Sequence, residues 1–99
     1  MGVDAVPVEF ALSDNYPNPF NPDTEFNYQL PEESDVQITV YSLLGRKIRD
    51  IVMENQKAGY YTARWNGTNQ AGQQVASGIY LLVMQAGTFS SMQKMTIIR

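Results

Sequence analysis

From Thr24 onward the apolar side chains of this chain recur mostly at every second position, in short runs broken by Gly, Pro, Asn and Ser. A period of two places alternate side chains on opposite faces of a strand, and it does not fit an amphipathic helix. Phe26, Tyr28 and Leu30 alternate with polar residues over Thr24–Leu30, and Val36, Ile38 and Val40 do so over Asp35–Tyr41. Leu43-Leu44-Gly45 reads as a tight hairpin turn with Gly45 at a position needing positive φ, and Arg46–Met53 as the return strand. There Ile48, Ile51 and Val52 also match helical spacing; the hairpin context decides for a strand, with room for a bulge.

Tyr60–Trp65 places Tyr61, Ala63 and Trp65 on one face. Ile79–Ala86 is apolar on both faces and is expected at the centre of a sheet. Thr88–Arg99 is the last expected strand. Residues 2–9 read as a linker end or a first edge strand, with Pro7 against a central position. These runs give about seven strands, with turns every ~8–12 residues. The expected fold is all-β: an immunoglobulin-like antiparallel β-sandwich over residues 11–99, preceded by a linker or edge segment at 1–10. A chain of 99 residues fits one such domain and buries enough surface for one core.

One segment breaks the alternation. Asn15-Tyr-Pro-Asn-Pro-Phe-Asn-Pro22 holds three prolines and three asparagines. Proline fixes its own φ and drives its predecessor towards extended geometry, and Asn side chains bond nearby backbone amides. The segment is therefore expected to be a stiff loop, pinned to the core by Tyr16 and Phe20.

Composition removes most chemistries. The chain has no Cys and no His, hence no thiolate nucleophile, disulfide or imidazole base. Glu32 and Glu33 are adjacent, so on a strand they face opposite ways and form no acid/base pair. Asn66, Thr68, Asn69 and Gln70 offer only neutral oxygens, where calcium sites draw on several carboxylates; Asp23 is the nearest acid to consider. The Asn66-Gly-Thr68 sequon reads as a turn. Trp65, Tyr61, Tyr28 and Tyr80 have inward parity, which leaves Tyr41 and Tyr60 as the candidates for a sugar-stacking platform. No phosphate loop is present, no cofactor or metal is expected, and no run approaches the ~18 apolar residues of a membrane helix. The N-terminus shows no basic region followed by an apolar stretch, so any export leader is expected upstream.

Charge is split along the chain. Residues 1–54 carry ten acids and three bases, net −7, while residues 55–99 carry Lys57, Arg64, Lys94 and Arg99 and no acid. Attraction between the halves is the plainer reading; a basic C-terminal edge for a partner is the sharper one. Four bases spread over that stretch are too sparse for nucleic acid.

Several motifs occur in a set order: Asn15-Tyr-Pro-Asn-Pro-Phe-Asn-Pro22, Val40-Tyr-Ser-Leu-Leu-Gly-Arg46, Ala58-Gly59, Trp65-Asn-Gly67, Ala76-Ser-Gly-Ile-Tyr80 and Lys94-Met-Thr-Ile-Ile-Arg99. This order resembles the type A C-terminal sorting domain of the bacterial type IX secretion system, over about residues 11–99. It is also similar to the Ig-like domain of the flagellar hook-capping protein. The resemblance implies a non-catalytic signal that directs an N-terminal cargo domain of the same chain from the periplasm to the cell surface or beyond in Bacteroidetes-like bacteria. The implied partners are outer-membrane secretion machinery and a sortase-like protease, with no nucleic acid and no membrane insertion. The implied recognition residues are Gly78 and Tyr80 of a Gly-x-Tyr motif and the bases Lys94 and Arg99. The motif loop would contribute Asn15, Pro17, Asn18, Pro19, Phe20, Asn21 and Pro22. Asn66 and Asn69 depart from the acids many relatives carry there. The rival readings are a carbohydrate-binding or spacer module of a secreted hydrolase, and a flagellar assembly domain.

Overall fold

A computed structural model describes residues 6–99. Seven strands form: β1 (Ala11–Leu12), β2 (Thr24–Leu30), β3 (Ser34–Ser42), β4 (Lys47–Gln56), β5 (Gly59–Trp65), β6 (Gly78–Ala86) and β7 (Phe89–Ile97). They make two antiparallel sheets, ordered β1-β2-β5 and β4-β3-β6-β7. The molecule is an all-β immunoglobulin-like sandwich, and β6 lies inside its sheet, as its two apolar faces require.

The inward parity of each strand builds the core between the sheets. Phe26, Tyr28 and Leu30 of β2 face Val36, Ile38 and Val40 of β3 and Leu82, Met84, Met95 and Ile97 of β6 and β7, all nearly inaccessible to water. Tyr28 lies across from Tyr61 with rings stacked at 5.1 Å, and its hydroxyl donates to Gln56 Oε1 on β4 at 2.6 Å. Phe10 stacks on Phe89 at 5.3 Å and closes the pole that holds the β6–β7 turn.

The ambiguous spacing of β4 has a structural cause. Along the β3–β4 ladder Ile38 pairs with Val52 but Thr39 with Asp50, and Val40 pairs with Arg49 but Tyr41 with Lys47. Ile51 and Ile48 are thus the extra residues of two bulges. Each bulge turns a side chain that simple alternation would send outward, so both isoleucines pack against the core.

Of the two readings of residues 2–9, a linker end or an edge strand, the described part Val6–Glu9 forms no strand, and the edge strand of the smaller sheet is Ala11–Leu12; the part up to Ala5 lies outside the described residues. Two expectations need amendment. The final strand stops at Ile97. Tyr16 does not pin its loop to the core: its side chain is 78% exposed, and only its backbone is held, in a two-way bridge with Glu25.

Candidate functional site: the motif pole

The motif residues, distant in sequence, gather at one end of the sandwich. Asn15 and Phe20 are buried, whereas Pro17, Asn18, Pro19, Asn21 and Pro22 line the outside of the loop. Asn15 Nδ2 donates to Thr24 Oγ1 at 3.0 Å, and Thr24 Oγ1 donates to Pro17 O at 2.9 Å, so the loop closes on the start of β2. Asn15 Oδ1 is buried with no hydrogen-bond donor beside it.

The ring of Phe20 stands edge-on to Trp65 at 5.6 Å, and Trp65 edge-on to Tyr80 at 5.5 Å. Such T-shaped contacts set the positive ring edge against a negative face. The indole N–H donates to Thr68 O at 2.8 Å and the Tyr80 hydroxyl to Ala76 O at 2.7 Å, so the polar tips of both buried rings are satisfied. Burial pushes the Tyr80 phenol above its ordinary pKa, with the Arg99 charge pulling weakly the other way.

The C-terminal strand is fixed by this cluster. Phe20 pairs in parallel with Ile97: Phe20 N–H donates to Thr96 O and Ile98 N–H to Phe20 O, both at 3.0 Å. Asn18 Oδ1 accepts the Thr96 N–H at 3.0 Å. Arg99 Nε donates to Val75 O at 2.6 Å and Nη2 to Gly67 O at 2.7 Å, while the Arg99 N–H donates to Ser77 Oγ. Gly67 has φ +76°, and a Cβ there would fall 2.7 Å from both Arg99 Nη2 and Ile97 Cδ1. The Trp65-Asn-Gly67 turn thus needs glycine both for its left-handed backbone and to seat Arg99.

The predicted site residues divide into two sets. The buried Asn15, Phe20 and Tyr80, with Gly78 opposite Ile97 and the bonded Arg99, belong to the motif pole. Lys94 stands apart, exposed on the outer face of β7 across from Leu81. Sequence reasoning missed the guanidinium clamp of Arg99 and the backbone pairing of Phe20 with the last strand. No local pattern announces a bond between residues nearly eighty positions apart.

The other candidates fall into place around this pole. Tyr41 lies in the four-stranded sheet and Tyr60 in the three-stranded one, so they share no platform. In the 66–72 loop Asn69 Oδ1 accepts the N–H groups of Ala71 and Gln73, and Asn66 Oδ1 the Thr68 hydroxyl. Arg49 donates to Thr68 Oγ1 and Asn69 O at 2.8 Å, placing a fixed positive charge on the oxygens a cation would need. No cluster of three metal-ligating acids, His or Cys occurs among the described residues. Among the described residues the charge halves meet in a single pair, Arg64 and Glu25 at 4.0 Å and well exposed; the shorter Lys47–Asp50 pair lies within the acidic half.

Comparison with known proteins decides the family. Residues 13–90 match the model of the FlgD Ig-like domain. The chain belongs to the FlgD Ig-like domain family. A search of curated proteins finds no match. Among solved structures, this FlgD-type domain is similar to FlgD from P. aeruginosa, with 23% identity and TM-score 0.58, over 75% of this chain and 58% of that one. It is similar to PorZ, an essential bacterial surface component of the type-IX secretion system of Porphyromonas gingivalis, at 21% identity and TM-score 0.58, over 91% of this chain and 11% of PorZ. It is similar to dimeric latent PorU of the same organism at 16% identity and TM-score 0.66, over 97% of this chain and 10% of PorU. The FlgD-type domain therefore spans little more than half of FlgD and about a tenth of the other two. At these identities the likeness speaks for the shared fold.

Proposed function

We propose that this FlgD-type domain is a non-catalytic C-terminal sorting signal that directs a larger exported protein through the type IX secretion system to the cell surface or outside. The observation that carries the reading is the convergence of the motif set at one pole. The Asn-Pro-Phe-Asn-Pro loop, the Trp-Asn-Gly turn, the Gly-x-Tyr motif and the Arg99 terminus are bonded to one another, which gives a recognising partner one rigid surface. The likeness to PorZ, a surface component of that secretion system, adds support of a coarser kind. In this reading the cargo precedes the domain in the same chain, and the partners are the outer-membrane machinery and a sortase-like protease. The domain acts by being recognised while folded.

The test fuses the 99-residue chain behind a periplasmic reporter in a host that has the system and follows the reporter to the surface. Arg99 supplies two hydrogen bonds to the turn carbonyls, so Arg99→Ala perturbs packing as well as charge, and Lys94→Ala is the cleaner probe of the basic edge. A second reading, a module of a flagellar assembly protein, is favoured by the family match and the FlgD likeness. It predicts no export of the reporter.

A further inference from the structure

Both outer strands of the four-stranded sheet are stoppered by a loop over part of their length. On β4, Gln70 donates its N–H to Ile48 O and its Oε1 accepts the Asp50 N–H, at 2.9 Å each. On β7, Asn18 and Phe20 take up the backbone groups of Thr96 and the N–H of Ile98. In an antiparallel strand both backbone groups of alternate residues face the same neighbour. Thr96 and Ile98 face away from β6, so Lys94, Met92 and Ser90 do as well. Among the described residues, no hydrogen bond engages the outward backbone groups of these three.

Their side chains are also free among the described residues. Ser90, Met92 and Lys94 are exposed, Met92 at 62%. Across from Met92 and Lys94 on β6 stand Val83 and Leu81, half-buried and apolar. Lys94 makes no ion pair among the described residues, and residues 55–99 contain no acid to offer it one. The rest of the β4 edge is different: beyond Asp50 it exposes Met53, Glu54 and Asn55 and carries no base, so it lacks the positive charge that Lys94 gives β7.

We propose that Ser90–Lys94 is the docking site for one added β-strand: an extended partner segment with an acidic residue beside Lys94 and an apolar residue beside Met92. The inference rests on the sorting reading above and adds to the motif pole a second contact with the machinery, on the free stretch of the β7 edge. Open edges are usually blunted along their length because they template pairing. Here the stopper ends at Thr96, leaving free a stretch of three outward residues. Backbone bonds supply the affinity of an added strand and side chains its specificity. Asn18 and Phe20 set the register, because an incoming strand must end against them. The positive edge selects an acidic segment and repels a basic one.

Two experiments test this. The first is amide hydrogen exchange on the purified 99-residue chain. The Met92 and Lys94 N–H groups should exchange at least ~10-fold faster than those of Gln93 and Met95, which face β6. Equal protection would mean that the edge is already covered, and the proposal would fall. The second is reporter export with Met92→Pro, Ser90→Pro, Lys94→Glu and Lys94→Arg. Proline at 90 or 92 deletes an outward N–H and keeps the β6 ladder; Ser90→Pro is the second backbone probe should Met92→Pro not fold. Export should drop by about tenfold in the prolines and in Lys94→Glu, and persist in Lys94→Arg. Full export by folded Met92→Pro and Lys94→Glu overturns the docking site and leaves sorting standing. Failure of the unaltered chain to export overturns the sorting reading, and the docking site with it.

Discussion

Gly67→Ala isolates what the Trp-Asn-Gly turn does for the C-terminus. Two costs add at this position. A non-glycine residue in the left-handed region costs roughly 1–2 kcal/mol. The new methyl would also sit 2.7 Å from Arg99 Nη2 and Ile97 Cδ1, and overpacking of this kind costs typically ~1–3 kcal/mol. The total expected is about 2–5 kcal/mol. Gly45 provides the control: its φ is +87° and nothing lies within 4 Å of its missing Cβ, so Gly45→Ala should cost only the backbone part, roughly 1–2 kcal/mol. Urea denaturation of both variants gives the difference, at constant slope. Part of the Gly67 excess should vanish when Arg99 is already alanine, because the guanidinium is one of the two groups displaced. A double-mutant cycle should therefore show coupling of ~0.5 kcal/mol or more. Equal costs at Gly45 and Gly67, or strict additivity with Arg99→Ala, would refute the clamp.

Three further outcomes follow from the same pole and from β4. Trp65→Ala should cost ~3–5 kcal/mol in urea denaturation, since the indole is almost fully buried between Phe20 and Tyr80; a change under ~1 kcal/mol would contradict its core role. Asn15→Ala should cost ~1–2 kcal/mol through the bond to Thr24, and Asn15→Asp more at neutral pH, because it sets a carboxylate beside the Thr24 and Pro17 oxygens. Asp50 is held below the usual carboxylate pKa, first by its hydrogen bond from Lys47 and then by that from Thr39. Its contribution is fully present above the unfolded-state pKa of ~3.9 and is lost as pH falls through the lower folded-state value. Wild type and Asp50→Asn should differ by less than ~1 kcal/mol at pH 7, as Lys47 is half exposed, and should converge in strong acid.

The sheets were readable in the sequence because burial of one strand face imposes a period of two; β2 and β5 follow it residue by residue, and β3 follows it up to Ile38, after which Thr39 is buried as well. Where a second influence enters, alternation misleads. Ile48 and Ile51 look helical because each is the surplus residue of a bulge. Tyr16 looks like an anchor because aromatic residues usually bury themselves, yet its backbone bridge to Glu25 leaves the ring in water. Trp65 and Phe20 were legible as core. Their mutual contact, the Phe20–Ile97 pairing and the Arg99 clamp were not, because they depend on how the sandwich brings distant loops to one pole. Lys94 and Arg99 read alike as terminal bases, and only the fold separates the bonded one from the free one.

Sorting is tested most directly by one reporter in two hosts that differ only in a working type IX secretion system, with and without the 99-residue domain fused behind it. If the domain is a sorting signal, reporter reaches the surface or the medium only with both the domain and the system present, and stays in the periplasm in the other three cases. Surface reporter in the host lacking the system, or a folded domain whose reporter stays periplasmic in the competent host, would contradict it.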